Sequence, residues 1–183
     1  MKKYELTAEF IEQWGKKLFR IKALISFGSV EAGELGGYVE KEDNLAQDGD
    51  AWVCDDAWVY GNARVYGNAW VYDDAWVYGN ARVYGNARVC GNAEVCGNAD
   101  YLLIGRIGSR FSFTTFFKNK DKGITVSCGC FLGTIAEFRA KVTDTHGNNK
   151  HAKMYNLAAD MAELQILGEE HFDKLNTNKS EPF

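Results

Sequence analysis

The sequence predicts a mainly β protein built around a three-sided parallel β-helix of about four coils, flanked by an N-terminal β-hairpin cap and a C-terminal β-hairpin plus two-helix module. Two observations carry this prediction. Residues 51–68 and 69–86 are identical except that Cys54 is replaced by Tyr72, and self-similarity at a fixed period indicates a solenoid. The chain also has 19 glycines and one proline, a composition typical of many tight turns between strands.

A six-residue unit, Ala-x-Val-x-Gly-Asn, lies inside the eighteen-residue period. Alanine and valine alternate with variable residues, which predicts a short strand with one apolar face. Gly-Asn or Asp-Asp ends each unit, and these residues tolerate the positive φ that a corner requires. Three units per coil place the valines inside, with coils about 4.8 Å apart. Valine recurs at positions 53, 59, 65, 71, 77, 83, 89 and 95.

Less regular units extend this pattern to residues 39–50 and 99–110. The predicted domains are therefore an N-terminal cap at 1–38, the β-helix at 39–110 and a C-terminal module at 111–183. A solenoid needs a cap on its open end.

The N-terminal cap is predicted as a β-hairpin of residues 10–14 and 18–24, followed by bends at Gly28 and Gly33. In the C-terminal module, residues 111–117 and 124–128 predict a second hairpin.

Two helices are predicted next. The first begins at Thr134, with Glu137 completing a capping box, and the second begins at Asn148 or Asn149 and ends near Gly168. The tail from about residue 173 is polar and predicted to be frayed. The apolar stripe predicted for the second helix consists of Tyr155 or Met154, Leu157, Ala158, Met161 and Leu164.

Composition narrows the class of protein. The net charge is −4, with basic and acidic residues interspersed, so bulk nucleic-acid binding is not expected. No apolar stretch approaches the length of a membrane span, and five cysteines without a secretory leader predict reduced thiols. We therefore expect a cytoplasmic protein that has no membrane contact.

The eighteen-residue period also predicts which outward side chains stack, because residues one coil apart lie over each other. We name the three outward surfaces sides one, two and three. Side one carries Trp52, Trp70 and Tyr72; side two carries Trp58, Trp76 and Tyr78; side three carries Arg64, Arg82, Tyr66 and Tyr84.

Four outward tryptophans exceed what a monomer normally leaves bare. Either the terminal segments or a second subunit should cover them, which makes the aromatic residues of sides one and two the predicted oligomer or domain-packing interface. The alternative is an aromatic ladder that stays half exposed.

On side three, the paired arginines and tyrosines suit a phosphate and a stacked ring of a nucleotide-like ligand. The alternative is a solvated surface on which arginine lies over tyrosine. The corner formed by Asp55, Asp56, Asp73 and Asp74 is either hydrated or bridged by a hard cation.

A second group of candidate ligand-binding residues lies in the C-terminal module. Cys128 and Cys130 precede the first predicted helix, and His146 and His151 flank the turn between the helices. One interpretation is a Cys/His catalytic or zinc site, although Cys-x-Cys is a weak spacing for zinc; the alternative is buried thiols and solvated histidines. Arg110 is a further candidate ligand-binding residue. We predict no catalytic residue, no metal and no cofactor.

Residues 39–110 resemble the hexapeptide-repeat, left-handed β-helix family, which places an aliphatic residue inside and a small residue two positions earlier. The resemblance implies a left-handed coil and a homotrimer. The near-identical Gly-Asn-Ala-Arg-Val-Tyr units, which follow a segment running from Leu35 to Leu45, are also similar to phage and prophage proteins labelled as transferases or polymer-forming proteins.

The function expected from these features is that of a non-enzymatic, oligomerising scaffold of the phage type. It would hold a partner protein, such as a host protein, or an anionic nucleotide-like molecule in clefts between subunits or beside the C-terminal module, and so modulate a host pathway. One alternative is a coenzyme A-dependent acyltransferase, which residues 39–110 disfavour because they contain no histidine. The other is an end-to-end polymer, which the terminal segments should block.

Overall fold

The structure, a computed structural model, describes residues 1–171 and 173. The chain forms two compact units, Met1–Asn98 and Ala99–Phe183. The polar tail predicted from about residue 173 lies, except for Asp173, outside the described residues. Within the described part of the chain, no helix is both long and apolar enough to cross a membrane.

The first unit begins with two antiparallel strands, β1 (Tyr4–Gln13) and β2 (Lys16–Ala23). Trp14 and Gly15 form the turn between them, both with positive φ. β2 also pairs in antiparallel orientation with β3 (Leu35–Val39). The two strands predicted near the N-terminus are therefore present, and the first starts at Tyr4 rather than Phe10.

A β-solenoid of about three turns follows, in which β3 and eight two-residue strands stack in parallel. They form three ladders: β4-β7-β10, β3-β5-β8-β11 and β6-β9. Partners from β4 onward are eighteen residues apart, as for Val53 and Val71. The eight strands are β4 (Trp52–Val53), β5 (Trp58–Val59), β6 (Arg64–Val65), β7 (Trp70–Val71), β8 (Trp76–Val77), β9 (Arg82–Val83), β10 (Arg88–Val89) and β11 (Glu94–Val95).

The interior of the solenoid consists of the repeat valines and alanines, all of which are fully buried from Ala51 to Val95. Burying each valine contributes about 1.5–3 kcal/mol relative to leaving it in water. Backbone groups are satisfied between coils: the Tyr72 amide donates to the Val89 carbonyl over 3.0 Å. The predicted inward pattern is therefore confirmed in this region.

The corners are formed by residues with positive φ. Gly61 has a φ of 70°, which glycine adopts without the penalty that a Cβ brings. Asp55 and Asp73 stand at the equivalent position in their own units and adopt φ values of 54° and 57°. Aspartate is one of the few side-chain-bearing residues that tolerate this region.

The first coil departs from the predicted register. Val39 pairs with Val59 and Leu45 bridges to Val65, so partners here are twenty residues apart rather than eighteen. A short 3₁₀ turn at Glu42–Asn44 adds to the length of this coil. Gly37 precedes Val39 by two positions and takes the place of the repeat alanine, where a Cβ would lie only 2.7 Å from the Ala57 carbonyl oxygen.

Parallel stacking ends at Val95, so the solenoid has about three turns and not the four predicted to reach residue 110. The reason lies in the side chains of the next unit. Its inward position would hold Tyr101 instead of valine, and its corner would hold Leu103 and Ile104 instead of Gly-Asn. This segment instead forms a strand in the second unit.

The second unit contains a four-stranded antiparallel sheet in the order β12-β13-β14-β15, followed by two helices. The strands are β12 (Tyr101–Ile107), β13 (Ser112–Lys118), β14 (Ile124–Cys128) and β15 (Phe131–Thr134), and the helices are α1 (Ile135–His146) and α2 (Lys150–Leu167). The predicted hairpin corresponds to β13 and β14, whereas β12 and β15 were not predicted.

Both helices begin where the sequence places their caps. The Glu137 amide donates to the Thr134 hydroxyl, and the Thr134 amide donates to the Glu137 carboxylate, which completes the capping box. The Asn149 side chain accepts from the His151 amide over 2.8 Å.

The apolar face predicted for α2 is wrong in part. The face in the core carries Tyr155 and four alanines, whereas the larger apolar side chains point to solvent. The buried residues are Ala152, Tyr155, Ala158, Ala159 and Ala162, and the exposed ones are Met154, Leu157, Met161 and Leu164. The core has room for alanine alone at most positions, because Phe116, Val126 and Phe138 fill the space between sheet and helices.

Candidate functional site

Side three of the solenoid presents two stacked pairs of side chains. Arg64 and Arg82 are register partners in the β6-β9 ladder and both are exposed. Tyr66 and Tyr84 stack beside them with ring centroids 5.4 Å apart and planes 14° apart. The ladder arises because arginine and tyrosine each recur eighteen residues later in these two coils, so the sequence prediction that these four side chains form two columns is matched by the geometry.

Two shallow depressions open on this side. One, of about 410 Å³, is lined by Ala46, Asp48, Arg64, Tyr66, Gly67 and Arg82. The other, of about 250 Å³, is lined by Lys41, Asp43, Asn62, Ala63 and Arg64. Arg64 lies in both, so its guanidinium is the shared cation of the two depressions.

Side three combines positively charged, aromatic and acidic side chains, with the two arginines among them. Guanidinium groups bind phosphate oxygens through parallel N–H donors, and a tyrosine ring offers a surface on which a planar ring stacks. Asp48 adds an acceptor that repels an anion but accepts from a hydroxyl or amino group. A ligand with a phosphate at one end and donor groups at the other would match this arrangement.

Side two is covered in part by the β1–β2 turn. Trp58 and Trp76 stack with centroids 5.2 Å apart, and Tyr60 and Tyr78 with centroids 5.1 Å apart. The Trp14 ring lies edge-on against both tryptophans, 5.8 Å from Trp58 and 5.3 Å from Trp76. A terminal segment therefore covers part of this side, while Trp58 and Trp76 themselves stay half-buried.

Side one is covered at its N-terminal end. Trp52 is fully buried, with Tyr4 and Phe27 packed edge-on at 6.3 Å and 5.4 Å. Its burial by its own chain removes it from any surface between subunits. Trp70 stays half-buried, and Arg88 lies over its ring at 5.4 Å.

A pocket of about 370 Å³ opens beside Trp70. Its lining comprises Ser29, Cys54, Asp55, Trp70, Tyr72 and Arg88. Burial, followed by the charge of Asp55, raises the pKa of the Cys54 thiol to about 12, so this thiol is protonated near neutral pH and is a poor nucleophile.

The aspartate corner uses its carboxylates to bind backbone amides. The Asp55 carboxylate accepts from the Asp73 amide over 3.3 Å, and the Asp73 carboxylate accepts from the Gly91 amide over 3.0 Å. Each aspartate thus fixes the corner of the next coil. Among the described residues no group of three or more His, Cys, Asp or Glu side chains is arranged to hold a metal ion.

In the second unit, Cys128 and His146 lie beside Tyr155, and His151 contacts His146. Cys128 accepts from the Thr114 hydroxyl over 3.2 Å. Burial and the neighbouring Cys128 raise the pKa of Tyr155 to about 12, while Arg110 lowers it. The His146 ring stacks on Tyr155 at 5.8 Å and contacts His151 at the same distance.

This cluster lacks the geometry of a Cys/His nucleophile. In the described part of the chain the His146 ring contacts His151 and Tyr155, but no hydrogen bond joins either histidine to Cys128. Cys130 is exposed on the turn before β15. These side chains pack at the edge of the hydrophobic core around Tyr155, a residue that the sequence pattern places only in the apolar stripe of the second helix.

Two residues that sequence reasoning missed hold the N-terminal segment in place. Trp14 was interpreted only as the end of a strand. Lys3 is 2% exposed and donates to the carbonyls of Asp48, Gly49 and Ala51, and nothing in its sequence context distinguishes it from Lys2.

Comparison with known proteins adds one match. Residues 57–73 and 75–91 match the family model described as YdcK Beta solenoid repeat. The match covers the central repeats and supports a β-solenoid repeat. No curated protein matches the chain.

Proposed function

We propose that this protein is a non-enzymatic binding scaffold whose side three holds an anionic small molecule that carries a planar ring, such as a nucleotide. One observation carries the proposal: Arg64 and Arg82 are register partners directly beside the stacked rings of Tyr66 and Tyr84. The solenoid holds the backbone of these residues in paired strands, so little backbone entropy is lost on binding, although each exposed arginine side chain still loses rotamer freedom.

The size of the depression beside Tyr66 suits such a ligand. Its volume of about 410 Å³ falls near the lower end of the roughly 300–1,000 Å³ typical of small-molecule sites. The phosphate would lie between the two guanidinium groups, and Asp48 would accept from a sugar hydroxyl or a base amino group. This placement keeps the negative charge of the ligand away from the carboxylate.

Calorimetric titration with nucleoside mono-, di- and triphosphates tests the proposal, with Arg64→Ala as the key variant. Loss of a charged hydrogen bond costs about 1.5–3 kcal/mol, so affinity should fall by about tenfold or more. Arg88→Ala is the matched control, because Arg88 is also an exposed solenoid arginine but lies on side one. Equal loss in both variants, or no binding at millimolar nucleotide, would refute the proposal.

The same titration separates the acyltransferase alternative. Coenzyme A contains an adenine nucleotide, so binding of both acetyl-coenzyme A and adenosine diphosphate with similar affinity favours the scaffold. Binding that requires the thioester arm, together with release of free thiol in the presence of an acceptor amine, favours the enzyme.

We further propose the finer architecture that the resemblance implies: a left-handed, three-sided solenoid of the hexapeptide type, capped by the β1–β2 hairpin. The six-residue unit with a small residue two positions before each valine supports the type. Hydrogen bonds from the Tyr4 hydroxyl to the Glu42 and Leu45 carbonyls support the capping role. An experimental structure at high resolution tests both.

A homotrimer and a phage origin belong to the same proposal and rest on the resemblance alone. Partial cover of the tryptophans by Trp14 and Tyr4 leaves less apolar surface for a trimer on sides one and two. Sedimentation equilibrium distinguishes a trimer from a filament, because a filament grows without limit as concentration rises.

A further inference from the structure

Helix α2 has two apolar faces, and only one of them packs in its own unit. The buried face is made of alanines and Tyr155. The opposite face carries larger side chains that remain substantially exposed: Met154 at 40%, Leu157 at 63%, Met161 at 57% and Leu164 at 46%. Single exposed leucines are ordinary, but here the larger apolar residues are outside and the small ones inside.

The exposed residues follow the spacing of a helix–helix seam. Their separations of three, four and three residues are those of the a and d positions of a heptad. On a helix of 3.6 residues per turn, this spacing confines the four side chains to one narrow stripe. Such a stripe is self-complementary, because side chains from one helix fill the holes between those of another.

The charges at the two ends of α2 favour an antiparallel orientation for a second α2 helix packed against this stripe. Lys150 and Lys153 lie in the first turn, and Glu169 and Glu170 follow Gly168, the residue that ends the helix. Both pairs stand at the end of the helix where the macrodipole disfavours their sign. In an antiparallel pair, the lysines of one helix lie beside the glutamates and the negative end of the other.

We infer that α2 is the contact surface for a second copy of this chain, which packs against it in antiparallel orientation. Met154 then meets Leu164 of the partner subunit, and Leu157 meets Met161 of the partner subunit. Four apolar side chains from each helix bury less surface than the roughly 1,200–2,000 Å² of a standard protein–protein interface. The association should therefore be reversible on dilution. The inference does not depend on the ligand proposed for side three.

Sedimentation equilibrium of the full chain over a hundredfold range of concentration tests the inference, with Leu157→Asp as the disrupting variant. The mass of the wild-type assembly should fall by half in this variant. Leu24→Asp is the matched control, since Leu24 is 42% exposed in the first unit, and it should leave the mass unchanged. A cooperative urea unfolding transition, measured for each variant at low protein concentration, verifies that both variants are folded before denaturant is added.

Charge reversal tests the orientation separately. Lys150→Glu with Lys153→Glu should weaken association by about tenfold or more, because two acidic ends then face each other. Adding Glu169→Lys and Glu170→Lys to the same chain should restore it. Failure of the restoring changes overturns the antiparallel arrangement, and a wild-type mass that Leu157→Asp does not alter overturns the contact itself.

Discussion

The Trp14 ring lies 5.3 Å, centroid to centroid, from the ring of Trp76, at an interplanar angle of 78°. Sixty-two positions separate the two residues in the chain. The contact joins the β1–β2 turn to the aromatic ladder of side two, although Trp14 itself remains 57% exposed. Its φ of 51° belongs to the two-residue turn between β1 and β2, in which both central residues have positive φ.

The Trp14 contact predicts a specific order of stability among variants. Trp14→Ala should lower the free energy of unfolding by about 1–3 kcal/mol, because an edge-on aromatic contact and part of its burial are lost. Trp14→Gly should lower it by about 1 kcal/mol less, since glycine adopts positive φ without penalty. Urea unfolding followed by circular dichroism measures both. Equal stability of the two variants would show that the turn relaxes when the ring is removed.

The hydrogen bonds of the corner aspartates lead us to expect a second order of stability among variants. Asp73→Ala should cost about 2 kcal/mol, because it removes the acceptor of the Gly91 amide and places alanine, which tolerates positive φ less well than aspartate, at this corner. Asp73→Gly should cost about 1 kcal/mol, since only the hydrogen bond is lost. Asp56, which follows Asp55, is exposed and provides the control. Asp56→Ala should change the free energy of unfolding by less than about 0.5 kcal/mol.

A thermal shift with added Ca²⁺ accompanies that series. We expect no stabilisation, because the Asp55 and Asp73 carboxylates already accept from backbone amides. Stabilisation by Ca²⁺ that disappears in Asp73→Ala would restore the cation explanation for this corner.

At Gly36, where β3 joins the solenoid, there is no space for a side chain. A Cβ at Gly36 would lie 2.5 Å from the Val53 carbonyl oxygen and 2.5 Å from Ile21 Cγ1. Gly36→Ala should therefore cost about 3 kcal/mol, because backbone must move to admit one methyl group. Gly123→Ala is the control, because the nearest atom, in the Asn119 side chain, would lie 3.5 Å away. Denaturant midpoints of the two variants should differ clearly.

Lys3 predicts a pH dependence with a defined sign. Burial lowers its pKa from 10.5 to about 8, so between these values the unfolded chain holds a proton that the native state has released. The contribution of Lys3 to the free energy of unfolding should then rise with pH between about 8 and 10.5, and the penalty of charged Lys3 is fully present below this window.

Comparison with Lys3→Met isolates this contribution, because raised thiol and tyrosine pKa values, such as that of Cys54, act in the opposite direction above pH 9. The stability of the wild type relative to Lys3→Met should increase between pH 7.5 and 9, pH values chosen to bracket the pKa of about 8. A constant difference across this range would show that Lys3 is not desolvated.

The repeat region was predictable because its physical requirement is local and periodic. A buried position such as Val71 requires an aliphatic residue in every coil, and its neighbours Val53 and Val89 satisfy that requirement eighteen residues away on either side. The stacked pairs on side three follow from the same period. No long-range information is needed for such contacts, since each coil touches only its neighbours.

Prediction failed where the period breaks. Val39 was assigned by counting backward in steps of eighteen, but the 3₁₀ turn at Glu42–Asn44 lengthens the first coil. Residues 99–110 preserve the spacing but not the chemistry, because Tyr101 cannot occupy a valine position. The spacing of a pattern is thus weaker information than the volume of the inward side chain.

The prediction of which face of α2 is buried was wrong in part for a different reason. Hydrophobicity alone could not distinguish Leu157 from Ala158, because both fit an apolar stripe. The core selects the smaller residue, since Phe138 and Tyr155 already fill it with edge-on rings 5.6 Å apart. Similarly, the cover of side two by Trp14 depends on the path of the chain over sixty residues, which no local pattern encodes.

The near-identity of residues 51–68 and 69–86 bears on how this molecule can change over generations. Each block joins its neighbours through the same valine, alanine and corner contacts, so a tandem duplication in the gene would insert a whole coil without a new kind of junction. Every such event would add one arginine and one tyrosine to side three. Length, and with it the number of stacked arginine and tyrosine side chains on side three, is therefore open to selection in whole steps of eighteen residues.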